Sequence, residues 1–252
     1  MRKFLVLAIC LSFGLAGTAL ASESGSAGVV HWGYSGAGGP AHWGVLQPEF
    51  KMCGEGQQQS PINIVDTVEA DLPELTFNYV ATNLELVNNG HTIKANYAPG
   101  SSIRVGGDEY KLLQFHFHSL SENAVDGKLF PVEAHLVHAN SAGELAVVGV
   151  LFDEGAANPL LEKLWRYTPS RANSTMAVAS TISVTELLPA SADYYGFSGS
   201  LTTPPCTEGV RWMALKQPVT ASAEQISKFR SFFGDHDTNR PVQPLNGRIV
   251  YQ

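Results

Sequence analysis

Short stretches of alternating apolar and polar residues recur along the chain and predict many short β-strands. Turn-forming residues separate these stretches, for example Asn88-Asn89-Gly90 and Gly106-Gly107-Asp108. The stretch over 144–152 is apolar enough to predict a strand at the centre of a sheet. The predicted strands cover residues 75–79, 83–88, 92–95, 102–105, 110–118, 132–139 and 144–152.

Helical spacing of apolar residues is rare. Residues 158–167 carry apolar side chains at helical spacing, and Ser222 opens a capping box with Gln225 that predicts a second helix through about Phe233. We see no internal repeat and no linker. The sequence therefore predicts a mostly β (α+β) fold: one domain around a large twisted, mainly antiparallel central sheet with a few short peripheral helices.

The first 21 residues have the pattern of a signal peptide. Arg2 and Lys3 precede an apolar run over 4–15, and Ala19-Leu20-Ala21 is a small-residue cleavage site. A membrane anchor is the alternative, but the apolar run is short and a Gly/Ser-rich stretch follows it. We therefore expect cleavage after Ala21, export to the periplasm or the medium, a flexible segment over 22–30 and a folded domain over 31–252.

Composition and charge narrow the possible partners. Of the 252 residues, 44% are hydrophobic and 15% are charged, which suits a sizeable core. Loss of Arg2 and Lys3 with the leader leaves 14 basic against 23 acidic residues, a net charge of about −9. An acidic chain without a basic cluster argues against nucleic acid and anionic membrane surfaces as partners. No membrane anchor is expected after cleavage.

Two of the three cysteines, Cys53 and Cys206, remain after removal of the leader, which contains Cys10. Two thiols in an exported chain favour one disulfide bond. Two free buried thiols are the alternative.

The predicted strand 110–118 carries two histidines on one face. Its apolar residues share one face and its polar residues the other: Leu113, Phe115 and Phe117 against Gln114, His116 and His118. The two imidazoles would lie about 6 to 7 Å apart, from which both can reach one metal ion. A pair of partly exposed strand histidines is the alternative interpretation.

The next predicted strand supplies a third imidazole. Glu133, His135 and Val137 share one face, and His138 lies on the other, where a structural role is expected. If the two strands pair as a hairpin, three nitrogen donors leave one tetrahedral position open, as a catalytic zinc requires. The absence of a thiolate favours zinc, although copper would also bind. Glu133 and Gln114 are each placed to accept the second ring N–H of a ligand.

Seven motifs stand in an order and spacing that resemble the α-class carbonic anhydrases, in particular their exported bacterial members. The similarity runs from about His31 to the C-terminus, so that 31–252 is expected to be the catalytic domain. The motifs are Gln114-Phe115-His116-Phe117-His118, Ser121-Glu122, Glu133-Ala134-His135-Leu136-Val137-His138, Ser60-Pro61-Ile62-Asn63-Ile64, Asn89-Gly90-His91, Ser200-Leu201-Thr202-Thr203-Pro204-Pro205-Cys206 and Asn239-Arg240-Pro241-Val242-Gln243-Pro244-Leu245.

The resemblance implies a zinc enzyme that interconverts carbon dioxide and bicarbonate. Zinc held by the three histidines would supply a hydroxide that attacks carbon dioxide. Thr202 resembles the hydroxyl that accepts from this hydroxide and donates to Glu122. The substrate pocket is implied at Val137, Val147, Leu201, Thr203 and Trp212, most of which would otherwise be interpreted as core.

The resemblance also implies a route for the proton. His91 is similar to the proton shuttle of the family, and Tyr34 and Asn89 resemble the polar lining that carries water between zinc and shuttle. We hypothesised that the cation of Lys94 lowers the pKa of His91. The disulfide would hold the Thr202 loop, and the Ser60–Pro61 and Pro204–Pro205 bonds would be cis.

Two other classes of function remain open. A non-catalytic carbonic-anhydrase-like binding protein would typically lack one or more zinc histidines, and all three are present. A periplasmic zinc-binding protein would favour soft or carboxylate ligands and would need neither an apolar pocket nor a Thr–Glu pair.

Overall fold

A computed structural model of the chain describes residues 31–252. The predicted signal peptide over 1–21 and the predicted flexible segment over 22–30 lie outside the described residues. His31–Gln252 form one compact unit. Within these residues, none of the helices has both the length and the apolar character needed to cross a membrane.

A large mixed sheet forms the centre of the unit. In chain order, the strands of the described residues are β1 (Asn63–Ile64), β2 (Leu75–Asn78), β3 (Thr82–Asn88), β4 (Ile93–Asn96), β5 (Ser102–Val105), β6 (Asp108–His118), β7 (Ala124–Val125), β8 (Val132–Ala139), β9 (Leu145–Glu154), β10 (Ser174–Ile182), β11 (Tyr194–Ser200), β12 (Glu208–Leu215) and β13 (Val219–Ala221). Eight strands follow the order β10-β3-β4-β6-β8-β9-β12-β11. Strand β5 joins β6, β2 joins β5, and β13 joins β9, while β1 and β7 form a separate parallel pair.

The predicted fold class is confirmed. Most neighbouring strands are antiparallel, and the exceptions in the large sheet are β12 and β13, which both lie parallel to β9. Strand β9 has neighbours on both sides and is buried over most of its length, as its apolar sequence predicts. All seven predicted strands are present, with ends that differ by at most two residues.

The strands that the pattern missed are short or lie near the sheet edges. Strand β10 occupies one edge and is largely exposed, so that its small uncharged residues show no clear alternation. Strand β11 forms the other edge and pairs with β12, and this pair is interrupted by glycines and by a break in register at Gly199–Ser200. An edge strand is buried less than a central one, so burial leaves a weaker pattern in its sequence.

A β-bulge in β6 corrects one predicted face. Leu112 pairs with His138 and Gln114 with Val137, so that Leu113 is the extra residue of β6. Leu113 is therefore 47% exposed instead of sharing the buried face of Phe115, whereas Leu112 is buried. The bulge lies before the metal-facing residues and leaves their alternation intact.

Within residues 31–252, four short α-helices lie around the sheet: α1 (Trp43–Leu46), α2 (Met52–Glu55), α3 (Pro159–Tyr167) and α4 (Ala223–Ser231). Asn158 caps α3 by accepting the N–H groups of Leu160 and Leu161. Ser222 and Gln225 form the predicted capping box of α4, which ends at Ser231, two residues earlier than predicted. The Ser60–Pro61 and Pro204–Pro205 bonds are cis, as the resemblance implies, and so is Ser119–Leu120.

Apolar clusters cover both faces of the sheet. Neighbouring residues of β8 point to opposite faces, so that Leu136 belongs to the larger cluster and Val137 to the smaller one. The larger cluster packs against α3 and α4. The smaller cluster lies on the face of β6 and β8 that carries the three histidines, and it includes Val147 and Trp212.

Candidate metal centre

The three predicted ligand histidines converge on one point. Strands β6 and β8 are antiparallel neighbours, and His116 lies directly opposite His135 in register. His118 lies two residues further along the same face of β6. One ring nitrogen from each histidine falls within 4.8 Å of the others. The hairpin expected from the sequence therefore brings the three imidazoles together.

An oxygen atom behind each ring indicates which nitrogen faces the centre. The Nδ1 atom of His116 lies 2.9 Å from Gln114 Oε1, and the Nδ1 atom of His118 lies 2.7 Å from the Thr238 carbonyl. Because both partners are acceptors, Nδ1 carries the proton and Nε2 keeps its lone pair. His135 is reversed: its Nε2 atom lies 3.1 Å from Glu133 Oε1, which leaves Nδ1 toward the centre.

Glu133 is itself firmly held. It is fully buried, and its carboxylate accepts the backbone N–H groups of Glu122 and Asn123 and the side-chain amide of Asn123, each at 2.8 Å. Gly149, directly opposite His135 on β9, has no side chain, and a Cβ there would lie 2.9 Å from Glu133 Oε1. Glycine at this position therefore gives the carboxylate its space.

Burial keeps the three imidazoles in the form that binds a metal. The pKa of His116 and of His135 is held well below the ordinary value by burial and then by the neighbouring imidazoles. Burial also lowers the pKa of His118, against the opposing effects of the Thr238 carbonyl and the Glu133 carboxylate. Neutral imidazoles offer the lone pairs that a divalent cation needs.

The donor set fits a zinc ion. His118 Nε2 is buried and has no hydrogen-bond partner, and the same is true of Glu122 Oε2, which lies 3.4 Å from it. Unpaired buried polar atoms are costly unless a ligand satisfies them. Three neutral nitrogen donors without a fourth protein ligand among the described residues match the pattern of a catalytic zinc site.

Glu122 and Thr202 lie beside the centre. Glu122 is fully buried, and its Oε1 atom accepts the backbone N–H of Arg240 at 2.8 Å. Burial raises the pKa of the Glu122 carboxyl to about 8, and the Arg240 N–H and the Thr202 side chain oppose this rise. Thr202 is 5% exposed and lies in the connection between β11 and β12.

The predicted disulfide is confirmed and closes the Thr202 loop. Cys53 and Cys206 are bonded, with a sequence separation of 153 and a Cα–Cα distance of 5.0 Å. The backbone N–H of Cys206 donates to the Thr203 carbonyl at 2.9 Å, so that the bond is attached directly to the turn after Thr202. Arg240, which is also buried, donates to the carbonyl of Cys53 at 2.8 Å.

The predicted substrate pocket forms an apolar surface beside the histidines. Val137, Val147 and Trp212 come from three adjacent strands and meet in one row of the register. All three are buried, and the Trp212 ring lies 4.9 Å from the His135 ring in an edge-to-face contact. Leu201 packs partly buried against this cluster, and Thr203 is partly exposed in the same loop.

His91 lies at the rim of a cleft of about 500 Å³ that Tyr34 also lines. Its ring stacks on Trp32 at 3.8 Å and lies 5.5 Å from the His31 ring. Burial, and then the charge of His31, lower the pKa of His91. The side-chain oxygen of Asn89 accepts the backbone N–H groups of His91 and Thr92, so that Asn89 shapes the turn that carries His91.

The remaining polar residues singled out in the sequence are Tyr34, His138 and Lys94. Tyr34 has a buried hydroxyl without a hydrogen-bond partner, and burial raises its pKa well above the ordinary value. His138 is fully buried on the opposite face and pairs with the Tyr79 hydroxyl at 2.9 Å, which confirms its structural position. Lys94 acts on His116 and not on His91, whose pKa shift has the other causes given above, so the hypothesis about Lys94 gains no support.

Sequence reasoning missed several residues that support the site. Thr238 orients His118 through its backbone, which no side-chain pattern could indicate. Arg240 was noticed only as part of a motif, although it connects Glu122 to the disulfide. Trp32 stacks on His91 from a segment 59 residues earlier in the sequence, and no motif indicates this contact.

Comparisons with known proteins agree with this geometry. The family model described as eukaryotic-type carbonic anhydrase matches residues 38–252. A carbonic anhydrase of Pectobacterium carotovorum is 48% identical over 205 residues, which cover 81% of this chain and 84% of the relative.

Two solved structures are similar throughout the described residues. A hyperthermostable carbonic anhydrase from a hydrothermal vent chimney is 51% identical with a TM-score of 0.85, covering 88% of this chain and 99% of that one. The α-carbonic anhydrase of Thermovibrio ammonificans, solved with the inhibitor sulfanilamide, is 49% identical with a TM-score of 0.86, covering 89% and 100%. The chain therefore belongs to the eukaryotic-type, or α-class, carbonic anhydrases, a family of enzymes.

Proposed function

We propose that the protein catalyses the zinc-dependent, reversible hydration of carbon dioxide to bicarbonate and a proton. The observation that carries the proposal is the convergence of three imidazole nitrogens within 4.8 Å of one another, beside an apolar surface. A structural zinc site would have a fourth protein ligand and would need no apolar surface. The catalytic domain is proposed to span residues 31–252.

Nε2 of His116, Nε2 of His118 and Nδ1 of His135 would hold the zinc ion. When bound, zinc acts as a Lewis acid that makes a water molecule acidic enough to supply a nucleophile at neutral pH. Oxygen atoms of Gln114 and Thr238 accept the Nδ1–H groups of His116 and His118. Glu133 Oε1 lies beside Nε2 of His135. These contacts fix the orientation of the three rings. Fixed rings reduce the reorganisation that metal binding would otherwise require.

The apolar surface receives the substrate. Carbon dioxide has no charge and forms only weak hydrogen bonds, so a dry surface binds it better than a polar one. Val137, Val147 and Trp212 provide this surface next to His135, and Leu201 and Thr203 border it. Because this surface excludes water, the substrate can lie directly beside the position of the metal ion.

Thr202 and Glu122 orient the attacking group. The charge of a bound metal ion would favour the ionised form of Glu122 over the protonated form that burial alone favours. The carboxylate would then accept a hydrogen bond from the Thr202 hydroxyl and leave the hydroxyl oxygen as an acceptor. The attacking group near the metal position must then donate a hydrogen bond to the Thr202 oxygen. This orientation directs the lone pair of the attacking group toward the apolar surface. Arg240 keeps the carboxylate in place through its backbone N–H.

His91 carries the released proton to the solvent. An imidazole titrates near neutral pH, and this one stands at the rim of the cleft on a turn held by Asn89. Tyr34 lines the same cleft and would contact the water molecules that connect the metal position with His91. Export to the periplasm or the medium accompanies the proposal, since an oxidising compartment suits the Cys53–Cys206 bond.

The test is stopped-flow hydration of carbon dioxide by the wild type and by His118→Ala, with zinc quantified in both. We expect rapid hydration by the wild type and loss of both zinc and activity in the variant. His42→Ala removes an exposed histidine outside the site and serves as the matched control. Zinc bound at unchanged stoichiometry without hydration would favour the binding-protein or zinc-binding alternatives.

A further inference from the structure

Lys94 is a charged residue beside the metal centre that the proposed mechanism does not use. It lies on β4 directly opposite His116 of β6 in register. Residues that face each other in this way point to the same side of the sheet, with Cβ atoms about 5 Å apart. The side chain of Lys94 therefore starts beside the first metal-binding histidine. Both residues are partly exposed, so that the side chain of Lys94 is accessible to solvent.

The charge of Lys94 is not neutralised by the protein. Among the residues that the structure describes, no carboxylate forms an ion pair with it. The carboxylate nearest in register is Glu85 of β3, which pairs with Asn96, two residues along β4. Glu85 accepts a hydrogen bond from the Asn96 side-chain amide and is thereby engaged elsewhere. On its other side Lys94 pairs with Val87, which has no charge.

The strand register places this charge next to the metal centre, because the side chains of Lys94 and His116 start side by side. The protein as a whole is acidic, with 16 basic against 23 acidic residues, and would repel anions. A single uncompensated cation next to the ligands reverses that sign locally, and a partly enclosed cleft weakens solvent screening.

We propose that Lys94 attracts monovalent anions to the metal centre, including the bicarbonate that the proposed reaction forms and consumes. This inference rests on the proposed function and adds to it a residue that distinguishes the anionic partner from the neutral one. Carbon dioxide carries no charge, so Lys94 does not assist its binding. The same attraction makes the site more sensitive to inhibition by small anions.

The experiment measures the affinity of thiocyanate, a monovalent anion, for the full-length protein at pH 6, where hydroxide competes least. The dissociation constant is obtained from inhibition of carbon dioxide hydration by the zinc-loaded protein. It is obtained independently from the visible absorption of the cobalt-loaded protein, which does not depend on activity. The variants are Lys94→Met, which removes the charge, and Lys94→Arg, which keeps it. Lys111→Met removes an exposed lysine from β6, the strand of the ligands, and is the matched control.

We expect Lys94→Met to bind thiocyanate about 2- to 6-fold more weakly at low ionic strength, the range for the loss of one nearby charge that solvent largely screens. The difference should shrink at an ionic strength near 0.5 M, where the Debye length is about 4 Å. Lys94→Arg and Lys111→Met should remain within about 2-fold of the wild type on the same electrostatic ground.

Equal affinity in Lys94→Met and the wild type would overturn the inference, and so would an equal loss in Lys111→Met. A loss that Lys94→Arg shares, or that salt does not reduce, would show a structural effect and would also overturn it. Hydration by the wild type in the same preparations tests the proposed function separately. Failure there, with the spectroscopic difference intact, would leave the anion site standing without the reaction.

Discussion

The carboxylate of Glu133 lies 3.1 Å from Nε2 of His135, and its other oxygen accepts two backbone N–H groups at the start of the loop between β6 and β8. One buried side chain thus connects the ring of a proposed metal ligand to the backbone at Glu122. The position of His135 and the position of Glu122 are therefore coupled through a single group.

Replacing Glu133 with glutamine should weaken zinc binding by about 10- to 100-fold. The amide has nearly the same shape but only one acceptor oxygen, so that its NH₂ group must face a donor of Glu122, Asn123 or His135. Competition with a chelator measures the zinc dissociation constant. Glu69→Gln, at an exposed position, is the control. Zinc affinity equal to the wild type would mean that Glu133 has no part in holding the ring.

Loss of the disulfide should lower both stability and activity. A loop of 153 residues corresponds to about 5 kcal/mol of chain entropy, and a domain of this size loses roughly 2–4 °C of melting temperature per kcal/mol. Thr202 lies four residues before Cys206, so the hydration rate should fall as the loop loosens. Melting of the wild type with and without reductant measures the effect. In the Cys53→Ser/Cys206→Ser protein, reductant should change nothing; a wild type that ignores reductant speaks against this role.

His138 should make the fold sensitive to acid. Burial lowers its pKa to about 4, against the ordinary 6.5. Between these values the unfolded chain binds more protons than the folded one, so stability falls as the pH drops from about 6.5 to 4. The upper bound for this one group is about 3 kcal/mol.

The measurement is the free energy of unfolding of the wild type and His138→Gln between pH 7 and pH 4. The variant is expected to be less stable at pH 7, because it loses the contacts to Tyr79 and Ala146. Its stability should nevertheless decline less steeply with acid than that of the wild type. Parallel pH profiles for the two proteins would rule out the assignment.

His91→Ala should slow turnover in weak buffer, and added imidazole should restore it. The maximal rate of the wild type should rise with pH around a midpoint below 6.5, because burial and the charge of His31 lower the pKa of His91. Stopped-flow rates at several buffer concentrations test both statements. His236→Ala, in the same cleft, is the control. A change in the Michaelis constant for carbon dioxide without rescue by imidazole would move His91 from proton transfer to substrate binding.

The metal centre could be predicted because it obeys the alternation of two strands. His116, His118 and His135 each lie on a strand whose apolar neighbours identify the buried face, and one hairpin brings them into register. The same alternation correctly separated His138 from the ligands. It was wrong at Leu113, where a bulge adds a residue that has no counterpart on β8.

Contacts made through the backbone or by loops distant in sequence could not be predicted from the pattern. Thr238 lies 120 residues after His118 and acts through its carbonyl oxygen, so its side chain carries no signal. Gly149 is explained only by the carboxylate that fills the space beside it. The pocket residues Val147 and Trp212 look like ordinary core until the neighbouring histidines are known, and only the resemblance singled them out.

We propose that a metal ion held by His116, His118 and His135 is responsible for the reaction. The most direct measurement is to strip the protein with a chelator, add zinc in known increments and record carbon dioxide hydration after each addition. We predict that activity rises linearly from near zero and stops rising at one zinc per chain, with no recovery in His118→Ala. Activity that persists in the stripped protein, or that is restored equally in His118→Ala, would contradict the account.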